Sequence, residues 1–256
     1  MKKRSVTFDR GMRGARATTS AIALRLGERL LRGRLPRDFS RSDIAIWERV
    51  APYTLTSPER IYACTHAVKY IVRRGIQGAI VECGVWRGGS MMAAALTLLE
   101  LGVEDRHIWL YDTFVGMTEP TPADADLLGR PADRLLAEAE GDADIWAKSS
   151  LAEVEHNLRS TQYPADLIHF VEGPVEETLP EHAPGEIALL RLDTDWYEST
   201  MHELTHLFPL LADGAPLIVD DYGHWRGARQ AVDEYFADRA QLLMRIDDTG
   251  RMALKV

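Results

Sequence analysis

The chain has 256 residues, of which 46% are hydrophobic and 27% charged, as in an ordinary folded protein with one large domain. Its formal net charge of −9 argues against nucleic acid as the main partner, and two cysteines are too few for a disulfide scaffold. No apolar run is long enough to span a bilayer, so we expect a cytoplasmic protein with no nucleic-acid and no membrane partner.

The start of the chain is strongly basic, because residues 1–41 hold 12 Lys or Arg against three acids. A basic arm can bind nucleic acid or anionic lipid, but the acidic remainder favours a solvated leader that packs on the domain or on a second subunit. Apolar residues recur at helical spacing over 20–33 and 41–50. We therefore predict a basic N-terminal arm with helices over 1–55, contributing to a lid or to a homodimer interface, and one main domain over 56–256.

Beyond this arm, helical and strand-like segments alternate along the chain. A long helix is predicted from Ser57 to about Arg74, because a Ser cap followed by Pro and an acid is typical of a helix start, and Gly75 ends it. Strand-like apolar runs follow at 78–82, 107–112, 166–170, 187–192, 215–220, 241–246 and 251–256. Helices are predicted between them at about 88–101, 149–159, 196–211 and 226–240.

This alternation predicts an α/β fold with a mostly parallel sheet covered by helices on both faces. The turn signal DDTG at 247–250 would join the last two strands as an antiparallel hairpin. A seven-stranded sheet closed by such a hairpin is the layout of the class I, Rossmann-like S-adenosylmethionine-dependent methyltransferase fold. Residues 113–147 depart from the pattern, and because insertions of this length are typically lids, we expect this one to cover the active site.

The first predicted strand leads into a glycine-rich turn, VECGVWRGGS, which opens a helix. Glycines let a ligand lie against bare backbone, and ligands of open α/β sheets bind beyond the carboxyl ends of the strands. We predict cofactor contacts at Gly84, Gly88 and Ser90, and at Glu82, whose carboxylate could accept a hydrogen bond from an ammonium group. The turn is also compatible with a dinucleotide, although its spacing is not that of the G-x-G-x-x-G fingerprint.

Further candidate cofactor residues follow the next two strands. Asp112 ends the second strand, where a carboxylate can bind both ribose hydroxyls of either NAD or S-adenosylmethionine, or can simply cap a loop. The ribose role is favoured because Asp112 and the glycine turn follow adjacent strands. Gly173 and Pro174, after the third strand, are predicted to lie beside the adenine.

Two later strands each run into a pair of aspartates, in LLRLDTDWYEST and PLIVDDYGHW. Asp193 and Asp195 would point the same way in an extended chain, whereas the sequential Asp220 and Asp221 can share a site only if the chain turns there. If these strands are neighbours, the carboxylates meet and repel one another unless a cation neutralises them. Oxygen ligands without Cys or His are typical of a hard divalent ion such as Mg²⁺, which we favour over acids that only cap helices.

Six segments together resemble the macrocin O-methyltransferase family, a group of Mg²⁺-dependent sugar O-methyltransferases of natural-product biosynthesis. They lie in order over 53–236: YTLTSPER, GAIVECGVWRGGSMM, LYDTFVGMTEPT, EGPVEETLP, ALLRLDTDWYEST and IVDDYGHWRGARQAVDEYF. Residues 1–40 carry no part of the resemblance. Val115 departs from it, because the form DTFEGM has an acid at this position.

Carried over position by position, the resemblance implies three metal ligands: Asp193, Asp220 and Asp221. Asp195 falls in the place of the family's proposed general base, and His224 is a second candidate for that role. The same comparison places three residues in the cofactor motifs: Glu82, Gly84 and Asp112.

The predicted function is transfer of a methyl group from S-adenosylmethionine to a hydroxyl of a (deoxy)sugar on a glycosylated small molecule, with Mg²⁺ as a second cofactor. An NAD-dependent oxidoreductase is one alternative, but it would have a tighter glycine spacing and no use for four clustered acids. A metal-dependent hydrolase would use the acids, but not Asp112 and the glycine turn. A non-catalytic binding module is supported only by the basic arm.

Overall fold

The structure, a computed structural model, describes residues 35–138 and 146–256. The chain divides into two compact units, Met1–Phe39 and Ser40–Val256. Only residues 35–39 of the first unit are described, so the predicted helix over 20–33 and most of the basic arm lie outside the described residues. The second unit contains the sheet and every predicted site residue.

Seven strands form one sheet. They are β1 Ala79–Cys83, β2 Ile108–Asp112, β3 Ile168–Glu172, β4 Ile187–Leu192, β5 Pro216–Val219, β6 Met244–Arg245 and β7 Arg251–Leu254. Their order is β3-β2-β1-β4-β5-β7-β6, and all pairs are parallel except those of β7, which runs antiparallel to both of its neighbours. Every predicted strand is present and the closing hairpin is confirmed, although β6 has only two residues.

The helices of the described residues also follow the predicted pattern. They are α1 Arg41–Val50, α2 Pro58–Arg74, α3 Gly89–Glu100, α4 Ala132–Glu138, α5 Leu151–Arg159, α6 Val175–Thr178, α7 Tyr197–Leu207 and α8 Arg226–Tyr235. α8 ends at Tyr235, earlier than predicted, and residues 237–240 are all exposed, so burial does not favour a further helical turn. None of these helices is both long and apolar enough to cross a membrane.

Local signals explain where the first two helices begin and end. The Ser57 hydroxyl accepts a hydrogen bond from the Arg60 N–H at the start of α2, and Gly75 ends that helix in the left-handed conformation. α1 starts with a capping box between Ser40 and Asp43. Because α1 packs on α2 and α3, it belongs to the second unit, and the arm predicted over 1–55 is divided at residue 39.

The sheet order fixes where a ligand can bind. The chain crosses from β1 outward to β2 and β3, then returns to place β4 on the other side of β1. In such a sheet the crevice beyond the carboxyl ends of the two central strands, here β1 and β4, is the ligand site. β1 is buried along its whole length, with Cys83 opposite Leu192 of β4, so the core holds this edge in place.

The described part of the insertion lies against the starts of α7 and α8. The Trp196 indole Nε1 donates to the carbonyl of Thr118 at 3.0 Å, and the Tyr197 N–H donates to the Asp124 carboxylate at 2.9 Å. An apolar cluster, here called the insertion cluster, is formed by five buried residues: Ala132, Leu136, Trp196, Trp225 and Ala228. This packing places 113–138 beside the acid segment after β4, whereas a lid function remains a prediction.

Candidate active site

The predicted cofactor and acid residues meet at the carboxyl edge of β1 and β4. The Asp193 N–H donates to the carbonyl of Cys83 at 2.8 Å, so the glycine turn and the acid segment lie side by side. Gly84 has a φ of 80°, and a Cβ there would lie 2.0 Å from the carbonyl oxygen of Asp193. Only glycine fits at this position, which explains the close approach of the two segments.

The remainder of the turn starts α3. Gly88 is the N-cap residue, with a φ of 86°, and Ser90 is buried in the first turn of the helix. A Cβ on Gly89 would lie 2.5 Å from the carbonyl oxygen of Tyr53, so the segment before α2 packs directly on this turn. Gly88 and Ser90 therefore lie at the edge where cofactor contacts were predicted.

Asp112, at the end of β2, binds the glycine turn directly. Its Oδ2 accepts hydrogen bonds from the N–H groups of Val85 at 2.6 Å and Trp86 at 3.1 Å, and its Oδ1 accepts one from Phe114 at 2.8 Å. Burial raises the pKa of Asp112, although these bonds favour its ionised form. Asp112 thus has the loop-capping role that the sequence left open, and ribose binding through the remaining lone pairs stays a prediction.

The turn after β3 is adjacent to that of β2. The Gly173 N–H donates to the carbonyl of Asp112 at 3.0 Å, and Gly173 has a φ of 136°. Pro174 is the N-cap residue of the short helix α6. Both residues lie at the same edge as the glycine turn, and their contact with an adenine stays a prediction.

Glu82 is buried at the end of β1, with its side chain only 1% exposed. Its Oε1 accepts a hydrogen bond from Arg191 at 2.7 Å, whereas its Oε2 is buried and has no hydrogen-bond partner among the described residues. Burial raises the pKa of Glu82 to about 7 against the opposing effect of Arg191. The ammonium group of S-adenosylmethionine would donate a hydrogen bond to Oε2, and this buried oxygen would then have a partner.

Asp193, Asp220 and Asp221 offer carboxylate oxygens that all lie within 4.8 Å of one another. β4 and β5 are neighbours, with Leu192 opposite Val219, so the two acid segments leave the sheet side by side. The chain turns after Val219, which lets the two sequential acids face one site, as the sequence required. In residues 35–138 and 146–256 this is the one group of at least three such ligands with this spacing.

Two arginines form ion pairs with these aspartates, and neither was predicted from the sequence. Arg191, in the buried strand β4, bonds Asp193 at 2.7 Å and Asp220 at 2.5 Å. Arg60, from α2, bonds Asp220 and also Asp247, the latter at 2.9 Å. The available signal was an arginine inside the apolar run LLRLD, since a buried guanidinium needs carboxylate partners.

The two guanidinium groups do not balance the acids around them. Burial raises the pKa of Asp193 and of Asp221 well above the ordinary value, and neighbouring carboxylates add to the effect. Burial also acts on Asp220, but Arg191 and Arg60 outweigh it and hold its pKa low. Carboxylates crowded in this way bind either protons or a further cation. The surplus of negative charge and the all-oxygen donor set fit a hard divalent ion such as Mg²⁺.

Asp195 departs from the extended geometry that its spacing from Asp193 suggested. β4 ends at Leu192 and Asp195 has a φ of 70°, so the inference from an extended chain was wrong here. Its Oδ1 accepts a hydrogen bond from the indole Nε1 of Trp225 at 2.7 Å, a contact the sequence did not indicate. Burial and the charge of Asp193 raise the pKa of Asp195 to about 8.

His224, the second candidate base, is exposed, and its ring lies edge-on to that of Trp225 with 4.7 Å between the centroids. The charge of the Asp195 carboxylate contributes to the raised pKa of Asp221. The base role of Asp195 and that of His224 both stay predictions.

Comparison with known proteins identifies the family. A sequence profile of the macrocin-O-methyltransferase (TylF) family matches residues 25–253, which is most of the chain. The chain belongs to this family. The resemblance noted in the six sequence segments is thereby confirmed.

Individual macrocin O-methyltransferase relatives cover most of the chain. Mycinamicin III 3''-O-methyltransferase of Micromonospora griseorubida is 33% identical over 72% of the chain and 70% of the relative. An 8-demethyl-8-(2,3-dimethoxy-alpha-L-rhamnosyl)-tetracenomycin-C 4'-O-methyltransferase of Streptomyces olivaceus is 34% identical over 74% of the chain and 69% of the relative. The solved structure of the O-methyltransferase NovP matches with a TM-score of 0.70 and 32% identity, covering 80% of the chain and 82% of NovP.

Membership of the macrocin O-methyltransferase family makes the protein an S-adenosylmethionine-dependent O-methyltransferase, and the predicted class I fold is confirmed by the sheet order and by NovP. This assignment excludes the three alternatives that the sequence left open, namely an oxidoreductase, a hydrolase and a non-catalytic module. The glycine turn and the acid cluster lie side by side at the sheet edge of this methyltransferase, and their roles in the reaction stay predictions.

Proposed function

We propose that the enzyme methylates a hydroxyl of a (deoxy)sugar on a glycosylated natural product, and that the transfer depends on Mg²⁺. The names of two relatives support this proposal. The name of the Micromonospora griseorubida enzyme contains mycinamicin III. The name of the Streptomyces olivaceus enzyme contains a rhamnosyl group and a methylation position on that sugar. The observation that carries the proposal is the cluster of Asp193, Asp220 and Asp221 beside the glycine turn. A small-molecule acceptor fits a site at a sheet edge bordered by an insertion.

Asp193, Asp220 and Asp221 would hold the cation in this proposal. When bound, Mg²⁺ supplies Lewis-acid stabilisation of negative charge on an oxygen of the acceptor. Asp220 would bind the cation through lone pairs that Arg191 and Arg60 do not use, because an ionised carboxylate has about four acceptor positions. Arg191 orients two of the three ligands, Asp193 and Asp220, through bonds of 2.7 and 2.5 Å.

The methyl donor would be bound by Glu82, the glycine turn and Asp112. When bound, S-adenosylmethionine would supply an electrophilic methyl group for the acceptor oxygen, with the neutral thioether as the leaving group. Asp195 accepts the proton that the acceptor hydroxyl loses, which typically contributes about 10²- to 10⁴-fold in rate. The packed insertion would exclude water from this step.

The direct test is a screen of glycosylated natural products with isotopically labelled S-adenosylmethionine, in parallel arms with Mg²⁺ and with excess EDTA. The proposal predicts label on a sugar hydroxyl in the Mg²⁺ arm alone, located by NMR of the product. Label on the aglycone would contradict the sugar assignment, and full activity in EDTA would contradict the metal dependence.

We also propose a homodimer in which residues 1–55 contribute to the interface, as the basic and amphipathic sequence of this region suggests. Light scattering of the full chain should give the mass of a dimer. A variant lacking residues 1–34 should give a larger share of monomer, and a monomeric full chain would refute the proposal.

A further inference from the structure

Trp225 bonds the candidate base from the opposite acid segment. Its indole Nε1–H donates to Oδ1 of Asp195 at 2.7 Å, and the residue is only 7% exposed. Its backbone N–H donates to the carbonyl of Asp221 at 3.0 Å, just before α8 begins. One residue therefore connects the acid segment after β5 with the one after β4.

The conformation of Asp195 needs stabilising contacts from outside the segment after β4. Its φ of 70° lies in the left-handed region, which costs a residue other than glycine about 1–3 kcal/mol and persists only when the surroundings impose it. A base must also keep its position closely, since a misplacement of about 1 Å can cost about 10²-fold in rate. The bond from Trp225 is a directional contact that can meet this need.

The indole is itself firmly held. Trp225 belongs to the insertion cluster, where its ring meets that of Trp196 in a T-shaped contact with 5.0 Å between the centroids. Asp126 pairs with Trp225 in an isolated antiparallel bridge, and the next N–H, of Arg226, donates to the carbonyl of Ala125 at 2.8 Å. The insertion thus packs against the same residue that bonds Asp195.

We propose that Trp225 is the positioning residue that holds the Asp195 carboxylate for removal of the acceptor proton, an inference that rests on the proposed function. An indole can donate a hydrogen bond but cannot accept one, so it binds Oδ1 only as an acceptor. Loss of the N–H therefore frees the carboxylate to rotate, whereas a phenyl ring keeps an aromatic contact in the insertion cluster at some cost in packing.

The test compares two matched variants, Trp225→Phe and Trp196→Phe. Both tryptophans lie in the insertion cluster and each donates one indole hydrogen bond, but that of Trp196 goes to Thr118. For Trp225→Phe we expect kcat to fall by about 10- to 100-fold while the acceptor KM and the Kd of S-adenosylmethionine stay within about twofold. Trp196→Phe should lose a similar amount of thermal stability but keep kcat within about threefold.

A kinetic double-mutant cycle with Asp195→Asn separates positioning from general damage. If Trp225 acts through Asp195, Trp225→Phe lowers kcat in the native background and has no further effect in the Asp195→Asn background. Equal fold losses in both backgrounds, or an equal loss of kcat in Trp196→Phe, would overturn the proposal. If Trp225→Phe does not fold, Trp225→Met, which also lacks a donor, takes its place in the same cycle.

The outcomes also distinguish this inference from the proposed function. Full turnover in Asp195→Asn would remove the base assignment itself. Loss of turnover in Asp195→Asn with normal kcat in Trp225→Phe would leave the base in place and refute the positioning role of Trp225.

Discussion

Asp220 and Asp221 are adjacent in sequence, yet their surroundings give them different roles. Asp220 is bonded by Arg191 and Arg60, which lower its pKa despite burial. The pKa of Asp221 is instead raised by burial and by Asp195, so its charge is the more costly of the two without a cation. Asp220 thus supports the fold as well as the proposed metal site, whereas Asp221 would serve mainly the proposed metal site.

This difference predicts unequal effects on stability. Asp220→Asn should lower the free energy of unfolding by about 1–3 kcal/mol, because Arg191 and Arg60 lose their shared carboxylate. The loss is limited because each arginine keeps another carboxylate partner. Asp221→Asn removes a charge that the site repels, and it should change the free energy of unfolding by less than about 1 kcal/mol. Urea denaturation of both metal-free variants makes the comparison, and equal losses would contradict it.

The assignment of Asp195 predicts a loss confined to the chemical step. Asp195→Asn keeps the size of the side chain and an acceptor for the Trp225 indole, but it cannot take up the acceptor proton at neutral pH. We expect kcat to fall by about 10²- to 10⁴-fold while the Kd of S-adenosylmethionine, measured by calorimetry, stays within about twofold. Turnover close to that of the unsubstituted enzyme would remove Asp195 from this role.

Among the elements, the glycine turn after β1 leaves little room for substitution at Gly84. Gly84→Ala would place a Cβ 2.0 Å from the Asp193 carbonyl on a backbone with a φ of 80°. We expect the free energy of unfolding to fall by more than about 2 kcal/mol and binding of S-adenosylmethionine to be lost. Gly185→Ala is the matched control, because a Cβ there meets nothing within 4 Å, and it should stay within about 1 kcal/mol. Equal stability of the two variants would contradict this account of the turn.

Helix α1 carries a pH-dependent contribution to stability. Burial opposes ionisation of Asp43, but hydrogen bonds from Ser40 and Lys69 outweigh it and lower the pKa of Asp43. A lowered folded-state pKa stabilises the protein above the ordinary carboxyl pKa of about 4, and this stabilisation is lost as the pH falls through the folded value. The stability difference between the protein and Asp43→Asn should therefore be present at pH 7 and shrink toward pH 3. A difference independent of pH in urea denaturation would contradict the assignment.

At the scale of the whole molecule, the sequence predicted the fold well because its signals are local. Buried parallel strands are continuous apolar runs, and β1 and β4 were recognisable from such runs alone. The strand ends then placed the acids, since the carboxyl ends of neighbouring strands share one edge. The meeting of Asp193, Asp220 and Asp221 follows from this topology.

Contacts between distant segments could not be predicted in the same way. The bond from Trp225 to Asp195 joins residues 30 positions apart, and the pair of Arg60 with Asp220 spans 160 positions. No periodicity records which side chain completes a site from another element. The left-handed backbone conformation of Asp195 could not be predicted either, because a single residue after a strand carries no repeating pattern.

The proposed function depends on one divalent cation bound to Asp193, Asp220 and Asp221. Calorimetric titration of the metal-stripped full chain with Mg²⁺ measures this binding. We predict one ion per chain, an affinity at least about tenfold weaker in Asp221→Asn, and no change in Asp213→Asn, which removes an exposed acid before β5. Absence of Mg²⁺ binding, or equal affinity in Asp221→Asn and the unsubstituted protein, would contradict the claim.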